Sequence, residues 1–216
     1  MEKTKILSAL KELRNAKKRN FVQSVDLIIL LKNIDLKKTE NQKELFLTLP
    51  KTIGKNFKVC AIVGLETYEE AKNNCDKVIL DKELEEYAKN TRAMKKLARD
   101  YDFFIAQANI MPQVASIFGK VLAPRGKMPN PKAGSIFPPR SALKQLVSKL
   151  KNTVKISIKK NPMVQVIVGN ERMSDEDLAE NIIAVHEFVV HNLPGGKNNI
   201  KSVLLKLTMS PPVKLE

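Results

Sequence analysis

From Phe57 the chain reads FKVCAIVGL, nine residues with one charge among them. A strand this apolar has no polar face to turn to water. It must be covered on both sides, as the strands of parallel sheets are. Beyond it, short β-type runs alternate with helical stretches. The spacing predicts a helix over 67–73, the strand KVIL at 77–80, a long charged helix over 81–99, and the strand DFFIAQA at 102–108. Helices over 111–118 and 141–151 complete the pattern, with a Pro-, Gly- and Lys-rich loop over 121–139 between them. Alternating β and α units imply a parallel sheet clothed by helices.

The flanks have another rhythm. Residues 2–18 set Ile6, Leu7, Leu10 and Leu13 at helical spacing. β-Type residues fill 21–31, and ELFLTL at 44–49 reads as a short strand ended by Pro50. Beyond Thr153, TVKISIKK and MVQVIVGN alternate apolar and polar residues and predict a hairpin turning at Asn161-Pro162. Ser174 and Asp177 stand as N-cap and N3 residue of a helix that stops at Pro194-Gly195-Gly196. Residues 200–207 form a last strand. The expected fold class is α/β and α+β in two domains. A discontinuous antiparallel α+β domain is built from both termini, 1–56 and 153–216. A Rossmann-like α/β three-layer domain, 57–152, is inserted into it.

Charge narrows the function. The chain carries 38 Lys and Arg against 23 Asp and Glu, a net +15. From Phe103 to Asn170 there is no carboxylate, yet eleven Lys and Arg occur. With no neutralising acid nearby in sequence, these cations are expected to face a polyanion, because Lys and Arg displace counterions condensed on phosphates. The competing reading is a solvated surface kept soluble by its charge. Aromatic residues make up 5% and Trp is absent, too few rings for a single-strand stacking platform. Folded RNA read by shape and phosphate position fits better.

Enzymatic and metal chemistry find little footing. Cys60 and Cys75 make neither a disulfide framework nor a four-ligand zinc site, and Cys60 lies in the apolar run. His186 and His191 are five apart rather than four, so a helix turns them to different faces. GKVLAPRGKMPNPKAG (119–134) is not a phosphate-binding P-loop, since six residues rather than four separate Gly119 and Gly126 and Met128 stands where Ser or Thr is required. It is instead a stiff basic loop, with Arg125 and Lys127 bracketed by Pro and Gly. No catalytic residue, metal or cofactor is expected. Neither a membrane span nor a signal-peptide apolar segment is evident, and a cytoplasmic location is expected.

Two segments point to one family. GKVLAPRGKMPNPKAG resembles the signature loop of the ribosomal protein L-one family, large-subunit proteins of the mobile stalk beside the tRNA exit site. KSVLLKLTMSPP (201–212) resembles that family's carboxy-terminal RNA-contact strand, and NFVQSVDLIILL (20–31) and LTLPKTIGK (47–55) match its first strand region and following loop. The likeness covers nearly all of the chain and is nearest the archaeal branch. It implies a discontinuous first domain holding the principal RNA site, where Phe21, Ser202, Thr208, Met209 and Ser210 match. Ser210 replaces a usual Gly. Lys160 and Gln165 lie on the matching hairpin, and Arg125, Gly126 and Lys127 match the signature loop, where Ala123 replaces a frequent Gly. The resemblance further implies a monomer outside the ribosome that binds the stalk region of large-subunit rRNA within the large ribosomal subunit. It implies a link to release of deacylated exit-site tRNA, and repression of the protein's own mRNA. The alternatives are a nucleotide-dependent RNA-processing enzyme using the α/β unit, and a free-standing RNA-binding regulator.

Overall fold

The computed structural model describes residues 2–215 apart from 16, 18, 38–40, 140, 141 and 160. Lys160, a candidate contact, therefore lies outside the described residues, as do Arg140 and the expected start of a helix at Ser141. The fold is mixed α/β, and the chain divides into two compact units. One comprises Met1–Lys55 with Asn152–Glu216, the other Asn56–Lys151. The first limb supplies α1 (Lys3–Arg14), β1 (Ser24–Leu31) and β2 (Lys43–Thr48). The middle of the chain supplies β3 (Val59–Val63), α2 (Tyr68–Asn74), β4 (Lys77–Leu80), α3 (Leu84–Lys89), α4 (Thr91–Asp100), β5 (Phe103–Gln107), α5 (Met111–Leu122), β6 (Ile136–Phe137) and α6 (Leu143–Lys151). The returning limb supplies β7 (Thr153–Ile158), β8 (Met163–Asn170), α7 (Asp175–Asn192), β9 (Ile200–Leu207) and β10 (Val213–Lys214).

In the middle unit the apolar run does what its composition demands. All five residues of β3 are buried, at the heart of a parallel sheet ordered β4-β3-β5-β6. Cys60 and Ile62 point to one face and pack with Met94, Leu97, Phe104, Val114 and Phe118, so α3, α4 and α5 cover that side. Val59, Ala61 and Val63 point to the other and pack with Ala71, Leu143, Val147 and Leu150 of α2 and α6. The period of two in a strand thus feeds two separate cores.

Three departures from the sequence reading occur. The expected helix over 81–99 is broken. Asn90 leaves helical geometry (φ −117°, ψ 82°), and its Oδ1 accepts the Ala93 N–H at 3.1 Å, so it caps α4 rather than continuing α3. Asn makes a good cap because its short amide competes with the helix ladder. The loop over 121–139 hides β6, a two-residue strand that adds to β5. The hairpin at Asn161-Pro162 does not form a ladder. β7 pairs with β2 in a two-stranded sheet, and β8 pairs with β1. The Pro162 carbonyl accepts the Leu31 N–H at 2.8 Å, which directs the chain to β1.

In the other unit, the antiparallel sheet β10-β9-β1-β8 has one covered face. Along β1, Val25, Leu27, Ile29 and Leu31 are buried in strict alternation. The buried stripes of α1 (Ile6, Leu10, Leu13) and α7 (Leu178, Ile182, Val185, Val189) complete this core. Ser174 caps α7 as expected, its Oγ accepting the Asp177 N–H at 3.1 Å. Arg14 ties α1 to the start of α7, donating to Asp175 Oδ1 at 2.7 Å and to the Glu171 and Met173 carbonyls at 3.0 and 2.7 Å.

The β2–β7 ribbon answers part of the charge imbalance. Glu44 faces Ser157, so Lys155 and Lys159 lie on its two diagonals, and it pairs with both, at 3.0 Å for Lys159. Two cations of the carboxylate-free stretch are therefore paired with one acid more than a hundred residues away in sequence, which offsets one of their charges. Hydrogen bonds from Lys155 and Lys159 hold the Glu44 carboxyl below its ordinary value of 4.5. A carboxyl lowered in the folded state contributes stability above its unfolded value, and that contribution is lost as pH falls through the folded one. Glu44→Gln should therefore melt with a smaller drop in midpoint between neutral pH and about pH 3 than the parent, which thermal melts at both ends would show. Equal drops would mean the two pairs are too well solvated to matter.

Candidate nucleic-acid interface

The face of the four-stranded sheet turned away from α1 and α7 is built in rows. Register sets Lys206, Asp26 and Ile167 side by side, then Leu204, Ile28 and Gln165, then Ser202, Leu30 and Met163. Directly opposed residues share a face, so this surface mixes partly exposed aliphatics with amide, hydroxyl and ammonium groups. Asp26 is the middle residue of the first row. Burial pushes its carboxyl up, opposed by the Lys206 charge and a hydrogen bond from Gln165. Beside the β8 edge, Lys155, Ser157, Lys159, Asn161, Met163 and Gln165 line a groove of about 420 Å³.

One end of this sheet is shaped by the turn after β9. Thr208 and Ser24 are bonded in both directions, the Thr208 N–H donating to Ser24 O at 3.2 Å and the Ser24 N–H donating to Thr208 Oγ1 at 3.1 Å. The Met209 N–H donates to Gln23 Oε1 at 3.1 Å, and Ser210 Oγ accepts the Leu207 N–H at 2.9 Å. With the backbone so occupied, the side chain of Met209 is thrown outward, 59% exposed. Phe21 and Val22, just ahead of the same strand entry, are 50% and 38% exposed. Exposed large apolar side chains make this end of the unit a candidate binding surface. Ser210, at the position of a usual Gly, uses its hydroxyl to close the turn.

The structure sets Thr208, Met209 and Ser210 on one turn bonded to Gln23 and Ser24, with Phe21 two residues ahead of Gln23 in the chain. Ser202 shares the open face but lies six strand residues from Thr208, roughly 20 Å along β9. Gln165 is exposed one strand beyond β1 and is committed to Asp26. Sequence reasoning missed Gln23. It is 2% exposed, holds Met209 through its carbonyl oxygen, and sits 3.5 Å from Glu171 Oε2 through its amide nitrogen. A lone Gln before a strand carries no local signal, because its partner is 186 residues away.

Arg125, Gly126 and Lys127 lie in the other unit, on the tight turn after α5. Gly126 has φ +66°, a left-handed geometry that suits Gly. The Arg125 guanidinium donates to Lys95 O at 3.0 Å. Lys127 Nζ donates to Ala98 O at 3.0 Å and Tyr101 O at 2.6 Å, carbonyls at the end of α4. Lys127 is thus part of the packing of its unit, a cation placed where the helix dipole is negative. Lys127→Met should lower the stability of this unit by about 1–2 kcal/mol through loss of charge-assisted bonds. A denaturant titration with an unshifted midpoint would remove that role.

The rival enzymatic reading has a defined place to look. In the order β4-β3-β5-β6 the connections diverge at the carboxyl ends of β3 and β5, where open α/β sheets bind nucleotides. Here Gln107 Oε1 occupies the Gly64 N–H at 2.9 Å and the Thr67 hydroxyl at 3.3 Å. Glu66, Glu69 and Glu70 line the adjoining helical turns and repel phosphate. Burial raises the Cys60 thiol to about 12 and Cys75 to about 11, so neither is a thiolate at neutral pH. Among the described residues, no group of three or more His, Cys, Asp or Glu gathers to hold a metal, and no helix is long and apolar enough to cross a membrane.

Residues 12–211 match the model of the ribosomal protein L1p/L10e family. The chain belongs to that family. It is 45% identical to the large ribosomal subunit protein uL1 of Pyrococcus horikoshii over 217 aligned positions, covering all of this chain and 97% of that protein. Against the same protein of Methanothermococcus thermolithotrophicus the identity is 45%, with both chains covered entirely. Against that of Methanocaldococcus jannaschii it is 42%, over all of this chain and 97% of the other. The archaeal likeness read from the motifs agrees with these relatives. The family is a structural, non-enzymatic one, and the blocked crevice at Gly64 is consistent with it.

Proposed function

We propose that this chain is a cytoplasmic protein of the large ribosomal subunit that binds the stalk region of large-subunit rRNA. In this reading the two compact units act as domains. The discontinuous one, 1–56 with 153–216, holds the specific site, and the inserted Rossmann-like one, 57–152, contributes basic surface through exposed Arg125, on the turn that Gly126 allows and that inward-facing Lys127 holds in place. The observation that carries the proposal is the turn Thr208–Met209–Ser210, bonded to Gln23 and Ser24 so that Met209 and Phe21 stand exposed beside a mixed polar sheet face. Such a surface offers apolar contact for ribose and base faces and hydroxyls for 2′-OH groups. Ser202 and Gln165 extend it along the sheet, and Lys160 is proposed as a contact from the family motif alone.

The same surface would serve a messenger that imitates the rRNA fold, which makes the protein a repressor of its own translation. Stalk motion would link it to release of deacylated tRNA from the exit site. It is a monomer outside the ribosome in this reading. Cosedimentation with large subunits through a high-salt cushion tests the ribosomal role. Retention on the pellet is expected, and loss to the supernatant with RNA binding intact would favour a free-standing regulator.

A further inference from the structure

Helix α4 has the sequence TRAMKKLARD. Its Met94, Leu97 and Ala98 are buried in the core of the middle unit, while Arg92, Lys95, Lys96 and Arg99 are exposed. At 100° per residue those four cations fall within an arc of about 100°, spread over roughly 10 Å of helix. Among the described residues none of them has a carboxylate oxygen within 4.0 Å, unlike Arg14, Lys51, Lys155 and Lys159. Arg125 joins the patch from outside, since its guanidinium docks on the Lys95 carbonyl.

We infer that the cationic face of α4, with Arg125, is a second, sequence-independent site for the phosphate backbone of double-helical RNA. It is separate from the Met209 turn, lies in the other unit and does not depend on that reading. A duplex presents closely spaced phosphates that four to five cations on one rigid face can meet together. Composition conceals this face: residues 81–102 hold six basic and six acidic side chains, and the acids fall on α3 and its approach or at the end of α4. An anionic membrane is the weaker partner, because α4 has its apolar side buried in the core and none to insert among lipids.

The test uses the full chain and a generic RNA duplex lacking the stalk sequence, with affinity measured by fluorescence anisotropy across a salt series. The triple variant Arg92→Gln, Lys96→Gln, Arg99→Gln should bind it at least tenfold more weakly at low salt, with a log–log salt slope shallower by about two to three. A charge-matched control, Lys3→Gln, Lys5→Gln, Lys11→Gln on α1, should keep the parent slope. The triple variant should also keep its melting temperature and its affinity for the stalk RNA, which separates this site from the one at Met209. The inference is overturned by an unchanged slope in the triple variant or by equal loss in the control. It is also overturned by a parent chain that ignores duplex RNA at low salt but binds phosphatidylserine vesicles.

Discussion

Asn181→Leu is expected to destabilise the terminal unit by about 3 kcal/mol, because it leaves buried backbone groups without partners. Asn181 is fully buried on α7. Its Nδ2 donates to Val168 O at 2.8 Å and to Lys51 O at 3.3 Å, and its Oδ1 accepts the Lys51 N–H at 3.0 Å. One side chain thus joins the helix, strand β8 and the segment after β2. Leu fills a similar volume, so the loss is polar rather than a cavity. The exposed pairs of Lys51 with Asp177 and Glu180 cannot replace it, since solvated ion pairs contribute little. A fall of roughly 10 °C in the melting transition of this unit is the corresponding signal. A variant melting within a degree of the parent would show that water satisfies these groups.

Met209→Ala is expected to separate binding from folding. Its side chain is mostly in solvent, so stability should stay within about 0.5 kcal/mol of the parent. Affinity for the stalk RNA should fall by about 1–3 kcal/mol, a loss of roughly five- to 150-fold, by analogy with other specific base contacts. A scrambled hairpin should bind with little change. Filter binding with both RNAs decides it, and equal loss on the two would deny Met209 any part in specificity. Gln23→Ala offers the contrast. It removes the acceptor that holds the Met209 backbone, and being buried it should weaken both folding and recognition.

Those two side chains differ in how far the chain itself announces them. Met209 lies in a motif, Thr-Met-Ser-Pro-Pro after an alternating strand, which marks the turn even though Gln23 and Ser24 help to hold it. Asn181 and Gln23 look like ordinary polar residues, and partners as far as 130 and 186 positions away make them structural. The same division runs through the charges. The long carboxylate-free stretch is plain to read, but Glu44 enters it from β2, and Lys127 turns inward to close a helix that the periodicity did not resolve from its neighbour.

What the amino-acid order determined is whatever repeats over a few residues. Unbroken apolarity made β3 a doubly covered strand. Alternation chose the buried face of β1, and Ser174 with Asp177 set the start of α7. These depend on geometry within one turn or one pleat, which the chain carries locally. Tertiary structure alone decided that β7 joins β2 instead of β8. It also decided that four cations on α4 face solvent with no carboxylate beside them among the described residues. Each of those outcomes depends on which surfaces can be packed and satisfied at once, a condition that no short window of sequence contains.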